Sequence, residues 1–354
     1  MASFVGRTRE LGTLAAELDR IASARDDRPG RCLLIRGRRR VGKSRLVERF
    51  VDDAQVPYLY FTAAGAGTAT ELRQIATDAA ESTLPGRDLI AAANPSDWDA
   101  AFRLLAAALP DDTPSVVVLD EVPYLMDPEQ QFEGILQRAW DRLLSRKPVL
   151  LVLIGSDLAM MEALNDYRRP FHQRGREMVL GPLNPADLAT MLDLPPADAI
   201  DAALITGGLP LVAAEWRPGA SVWDFLGPAL ADPTSALLVS AERSLAAEFP
   251  AQLQAREVLT AIGSGERTFT NIARTAGELS STSLHRSLET LQVKRLVTGE
   301  LPLSTRPSKD RRYRIVDPYL RFWLRFLAAA MPEIERGRGD LTLARIRTSF
   351  PSWR

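Results

Sequence analysis

Cys32-Leu33-Leu34-Ile35-Arg36-Gly37-Arg38-Arg39-Arg40-Val41-Gly42-Lys43-Ser44 is the stretch on which the fold turns. Its four leading apolar residues read as a short strand buried on both faces, the kind that builds parallel sheets. Gly37 to Ser44 then runs G-x-x-x-x-G-K-S, and a helical pattern continues from Lys43 to Val51. A strand, a glycine-rich turn and a helix in that order let backbone N–H groups curl around phosphate oxygens, aided by the positive end of the helix. Gly37, Arg40, Val41, Gly42, Lys43, Ser44 and Arg45 are the candidate nucleotide-binding residues here. Lys43 would reach the β- and γ-phosphates, and the Ser44 hydroxyl would hold Mg²⁺. Only four of the 44 basic residues are lysine, which makes a lysine at this position more telling. The plain alternative is a glycine turn joining strand to helix.

Outward from that stretch, Val56–Phe61, Val116–Leu119, Val149–Ile154 and Met178–Leu180 read as further strands. Helical periodicity falls around 8–25, 70–83, 97–109, 129–146 and 157–165. Alternating strands and helices predict an α/β fold, a P-loop NTPase parallel sheet covered by helices. After about residue 184 the strands stop, punctuated by Pro182, Pro185, Pro195 and Pro196. The expected division is a P-loop ATPase domain over 1–183, an α-helical lid over 184–248, a winged helix-turn-helix over 249–325, and a C-terminal extension or linker over 326–354.

Val116-Val117-Val118-Leu119-Asp120-Glu121 is an apolar strand ending in two carboxylates. Strand ends at the carboxyl edge of such a sheet are where ligands bind. Asp120 would complete the metal shell with Ser44, and Glu121 would orient and deprotonate an attacking water. Acids also end strands merely because the chain is entering solvent. Val149 to Ile154 ends in Gly155-Ser156-Asp157, where Ser156 could sense the γ-phosphate, or Ser156-Asp157 could simply cap the next helix. Arg168, Arg169, Arg174 and Arg176 crowd the loop before the last strand, and one of them is a candidate arginine finger for a neighbouring subunit. For any single one of the four, a solvated basic loop is the better reading.

Composition narrows the classes. The 354 residues are 46% hydrophobic and 25% charged, as in ordinary globular chains. A formal net charge of −1 means that any nucleic-acid surface must be a local patch. One cysteine, Cys32, and two histidines, His172 and His285, allow neither an internal disulfide nor a Cys/His metal cluster. The N-terminus is charged where a signal peptide needs an apolar core, and no apolar run spans a bilayer, so a cytoplasmic chain with no membrane contact is expected.

At this point the chain resembles the archaeal-type ATPase family of the AAA+/STAND lineage. Phe4-Val5-Gly6-Arg7 with Glu10-Leu11 is similar to the family's opening box, which implies that Val5, Gly6 and Arg7 lie near the adenine. The Arg-rich phosphate loop, Asp120 to Leu125, and Gly155-Ser156 resemble the corresponding family motifs. Pro170-Phe171-His172-Gln173-Arg174 resembles a segment whose arginine is a finger candidate, which favours Arg174, although Gly175 stands where a second arginine is usual. Gly207-Gly208-Leu209-Pro210 looks like the lid signature, implying a nucleotide contact at Pro210. Asp317-Pro318-Tyr319-Leu320-Arg321-Phe322-Trp323 resembles the signature after the winged helix. Family members usually continue into a nuclease-like domain about where this chain stops at Arg354, so no nuclease activity is expected of it.

Residues 251–262 and 270–275 read as two helices, a third runs from a cap at Ser281, Thr282 or Ser283 to about Val293, and Leu296-Val297 with Tyr313 to Val316 reads as a two-stranded wing. Arg286 would face outward on the recognition helix. Arg306, Lys309, Arg311 and Arg312 would crowd the wing as DNA-binding candidates, suited to phosphate-backbone contacts. A hairpin used for packing or oligomer contacts is the alternative. Tyr319, Phe322, Trp323 and Phe326 at helical spacing read as core. The chain is therefore expected to be a Mg²⁺-dependent ATPase, with ATP and Mg²⁺ as cofactors and ATP/ADP, double-stranded DNA and a second copy of itself as candidate partners. A nucleotide-gated DNA-binding or signalling switch with slow or no turnover is the alternative, and a scaffold that never turns over is a third.

Overall fold

The computed structural model describes residues 4–126, 131–249, 253–301, 303 and 311–354. It divides into two compact units, Arg7–Gly181 and Pro182–Arg354, the second also taking the residues up to Gly6.

The Arg7–Gly181 unit is built on five parallel strands: β1 (Arg31–Arg36), β2 (Tyr58–Thr62), β3 (Ser115–Asp120), β4 (Val149–Gly155) and β5 (Arg176–Val179). Their spatial order is β2-β3-β4-β1-β5. Central β3 and β4 are buried at every residue, which explains their unbroken apolar runs, whereas edge β2 alternates. Helices α1 (Thr8–Ala22), α2 (Lys43–Ala54), α3 (Thr68–Glu81), α4 (Arg87–Ala93), α5 (Trp98–Ala108), α6 (Gln131–Arg142) and α7 (Leu158–Ala163) complete it. Helix α4 escapes the sequence pattern because its seven residues bury only Ile90. The register pairs Leu33 and Val118 with Val152, so the carboxyl ends of β1, β3 and β4 open at one edge of the sheet. That edge receives Gly37, Asp120-Glu121 and Ser156.

The second unit is mostly helical: α8 (Pro185–Leu192), α9 (Pro196–Thr206), α10 (Pro210–Ala213), α11 (Val222–Ala231), α12 (Ala236–Glu248), α13 (Leu253–Ser264), α14 (Phe269–Thr275) and α15 (Ser281–Val293). An antiparallel ribbon of β6 (Val297–Glu300) and β7 (Arg312–Ile315) comes next, then α16 (Pro318–Phe322), a π-helical segment over Trp323–Leu327, α17 (Met331–Glu335) and α18 (Gly339–Trp353). One hydrophobic core runs from Leu183 to Phe350, so the lengths expected as lid, winged helix and extension pack together.

Two motifs of the sequence meet in that core. Gly207 has φ +61°, and a Cβ there would stand 2.6 Å from the Cβ of Tyr319. A Cβ on Gly208, with φ +67°, would stand 2.0 Å from the Leu183 carbonyl oxygen. The Tyr319 hydroxyl donates to the Leu237 carbonyl at 2.8 Å and accepts the Ala241 N–H at 2.9 Å, while the Trp323 indole donates to the Leu238 carbonyl at 3.0 Å. The glycine pair and the Asp317–Trp323 stretch are thus a packing joint that holds α9, α12 and α16 together. Tyr319, Phe322 and Trp323 are buried, with Phe326 packed against them. No helix among the described residues is long and apolar enough to cross a membrane.

Candidate active site

The turn after β1 leads into α2 through Gly42, whose φ of 90° only glycine adopts without strain. No side chain caps α2, so its first N–H groups are left for another acceptor. Lys43 is buried and folds back over the loop, donating from Nζ to the carbonyls of Gly37 at 2.9 Å and Arg38 at 3.1 Å. Burial pulls its ammonium below the usual value, and the nearby charges of Glu121 and Asp120 oppose that shift. Gly37 cannot gain a side chain, since a Cβ would stand 2.4 Å from the Leu180 carbonyl oxygen. From the start of α1, Arg7 donates to the Val41 carbonyl at 2.9 Å and braces the loop from outside.

The β3 acids take different roles. Asp120 is buried; its Oδ1 accepts the Glu121 N–H at 2.8 Å and its Oδ2 accepts the Tyr60 hydroxyl at 2.9 Å. Ser44 also lies near the Tyr60 hydroxyl, so one phenol neighbours both candidate metal ligands. Burial and then the Asp120 charge hold that phenol well above its ordinary ionisation range, so it stays protonated. Glu121 sits in the left-handed region at φ 53°, a conformation disfavoured for a residue with a Cβ, and its Oε2 accepts the Ser156 hydroxyl at 2.8 Å. The two readings of Gly155-Ser156-Asp157 therefore divide: Asp157 caps α7 through the Met160 N–H at 3.0 Å, while Ser156 faces Glu121.

Arg174 is held inside its own unit. It forms a bidentate pair with Asp141, both bonds 2.8 Å, and donates Nη1 to the carbonyls of Pro170 at 2.7 Å and His172 at 3.0 Å. Arg169 pairs with buried Glu133 at 2.7 Å, and Arg176 with Glu17 at 2.8 Å. Arg45 lies on the exposed side of α2 and pairs with Glu48 at 3.2 Å. Val5 and Gly6 belong to the second unit, where a Cβ on Gly6 would stand 2.7 Å from Asp187 Oδ1. Pro210 opens α10 in that same unit. Arg286, Arg311 and Arg312 are exposed on α15 and around β7. Arg306 and Lys309 lie outside the described residues.

Tyr60 and the bracing role of Arg7 were not legible in the sequence as site features. The only local sign of Tyr60 is its place in alternating β2, where it points away from buried Leu59 and Phe61.

This geometry has a counterpart in known sequences. Residues 3–155 match the AAA ATPase domain family. Over 344 residues it is 22% identical to an uncharacterized protein, MJECL04, of Methanocaldococcus jannaschii, a match that covers 96% of this chain and 72% of that one. Its fold is similar to that of the Walker-type ATPase PABY2304 of Pyrococcus abyssi, with a TM-score of 0.63 at 19% identity over 91% of this chain and 96% of the other. It is also similar to the Aeropyrum pernix ORC2 protein, solved as ADPNP-ADP complexes, with a TM-score of 0.54 at 15% identity over 97% of this chain and 95% of that one.

Proposed function

We propose that this protein hydrolyses ATP in a Mg²⁺-dependent reaction, with Lys43, Ser44, Asp120 and Glu121 carrying the chemistry. The observation behind this is the meeting at one sheet edge of an uncapped α2 N-terminus, a buried lysine and two carboxylates with separate partners. Lys43 exchanges its loop carbonyls for phosphate oxygens, a swap of like acceptors that leaves the cradle closed when no nucleotide is bound. Ser44 and Asp120 offer a hydroxyl and a carboxylate oxygen, hard donors that suit Mg²⁺. No cluster of three or more His, Cys, Asp or Glu stands among the described residues to hold a metal, so substrate phosphates and water would supply its other ligands. Bound Mg²⁺ would neutralise charge on the phosphates. Glu121, aligned by Ser156, takes a proton from water.

Steady-state phosphate release from Mg²⁺-ATP tests the proposal. Glu121→Gln should slow turnover by roughly 10²- to 10⁴-fold while ATP still binds, and Lys43→Ala should remove nucleotide binding. Release from the wild type that both variants retain in full would sink it.

A second reading, DNA coupling, is favoured by the 253–316 region, where three helices and a ribbon suit a winged helix-turn-helix behind a helical lid. Arg286, Arg311 and Arg312 are exposed and make no ion pair among the described residues. If they contact the duplex backbone, log affinity should fall with log salt concentration, and each Arg→Gln change should reduce the slope by about 0.9. A slope that none of the three changes would exclude this surface.

A further inference from the structure

Within the second unit, a cavity of about 340 Å³ opens between the end of α13, β7, the Arg321–Arg325 segment and the end of α18. Arg267, Arg314, Arg321 and Arg325 line it, and no acidic residue does. None of its lining comes from α15. Among the described residues only Arg314 of these four has a carboxylate partner, Glu300, at 2.6 Å. Arg321 lies over the Trp353 indole at 4.6 Å and donates to the Trp353 carbonyl at 3.2 Å. Arg325 donates to the Ser264 carbonyl at 2.6 Å. Arg267 has no side-chain partner among the described residues.

The carbonyl contacts orient the Arg321 and Arg325 guanidiniums without neutralising them, Arg267 carries its charge without a partner among the described residues, and Arg314 alone of the four is paired with an acid there. Arg321 is pulled below its ordinary value by burial first and then by the charges of Arg267 and Arg314, so the three are close enough to repel. Gathering like charges around a concave, partly buried space costs free energy that an anion seated there offsets. Arg321 and Arg325 still have N–H groups to offer, because a carbonyl uses only one of five, and Arg314 keeps those that its Glu300 pair does not use. The Ser349 hydroxyl, also in the lining, makes no hydrogen bond among the described residues and adds a neutral donor. Several forked donors converging from different elements match a tetrahedral oxyanion with two or more acceptor oxygens, for which Arg is better suited than Lys.

We infer that this arginine cavity is a second anion site, separate from the phosphate loop, that takes a phosphate group. The phosphate would come either from a phosphomonoester or from a nucleic-acid backbone. The volume exceeds that of a bare phosphate, and Trp353, Ile262 and Ile315 in the lining add apolar surface for the rest of the ligand.

Calorimetric titration with inorganic phosphate at low salt tests it in the Lys43→Ala protein, which removes the first phosphate site. One phosphate should bind per chain, and adding Arg267→Gln and Arg325→Gln should weaken it at least tenfold. Both side chains are exposed, so the fold should persist, as thermal unfolding would verify; Arg267→Gln alone serves if the double change unfolds the chain. Absence of phosphate binding in Lys43→Ala would overturn the inference. So would binding that survives the arginine changes, or binding that Arg286→Gln with Arg311→Gln weakens equally, since that would be the general field of the chain. Titration with thymidine monophosphate and with a 20-base-pair duplex then separates the sources. A duplex affinity that falls with the same two arginines assigns the phosphate to a nucleic-acid backbone. Loss of monophosphate binding with duplex affinity unchanged assigns it to a phosphomonoester.

Discussion

Replacing Tyr60 by Phe removes one oxygen and keeps the ring. That oxygen is 2.9 Å from Asp120 Oδ2 and lies near Ser44. Asp120 is 2% exposed, and among the described residues its carboxylate accepts one other hydrogen bond, from the Glu121 N–H, so water cannot readily replace the lost donor. A hydrogen bond to a charged acceptor contributes about 1.5–3 kcal/mol, so the Arg7–Gly181 unit should lose roughly 2 kcal/mol, or about 4–8 °C in Tm. Outer-shell partners of metal ligands typically control affinity by 10- to 100-fold. The Mg²⁺ concentration for half-maximal ATP hydrolysis should therefore rise about tenfold or more, with activity recovering at saturating Mg²⁺. The pH dependence carries a further check. The native phenol is held above its unfolded value of about 10, so above that pH the unfolded chain binds fewer protons than the native one. Stability then falls as pH rises past about 10, and Tyr60→Phe should flatten that fall. An unchanged or lower Mg²⁺ requirement would refute the reasoning, because Tyr60 would then be a bystander or a competitor for Asp120 and Ser44.

Ser156→Ala should slow turnover about tenfold with the KM for ATP unchanged, because only the 2.8 Å contact to Glu121 is lost; equal or faster turnover would show that Ser156 restrains the base rather than aligning it. Gly207→Ala should cost roughly 2–4 kcal/mol, combining a left-handed backbone with overpacking against Tyr319. Gly219→Ala, where φ is +73° but nothing lies within 4 Å, should cost only the backbone part, and equal Tm losses for the two would remove the packing argument. Arg174→Ala should lower stability by about 1 kcal/mol, discounted because Asp141 is partly exposed. Turnover slowed by about a thousandfold or more, with no change in Tm, would instead make Arg174 an arginine finger that leaves Asp141 during the reaction.

Much of the site is readable in the sequence because its parts are contiguous. A phosphate cradle needs only a buried strand, glycines at two positions and a helix start, all within Arg31–Ala54, and each is a local conformational demand. The acids at the end of β3 are legible for the same reason: four apolar residues ending in two carboxylates mark a sheet edge wherever the sheet lies. The aromatic stretch Tyr319 to Phe326 announces burial by its spacing, although not its partner. Gly207-Gly208 resembles a lid signature, whereas the close approach of Tyr319 and Leu183 shows what those glycines do in the packing.

The sequence by itself therefore determined the strand–loop–helix, the acidic strand end and the α/β class, since these come from periodicity and from residues a few positions apart. Tertiary structure decided which side chains meet. Tyr60 and Asp120 are 60 positions apart, Glu121 and Ser156 are 35, and Arg174 and Asp141 are 33. Only the parallel crossovers of the sheet bring the first two of these pairs together, and only the return of the chain after β4 brings Arg174 to α6. The arginine cavity is the extreme case. Its charges are scattered from Arg267 to Arg325, and no periodicity joins them until α13, β7 and α18 share one core.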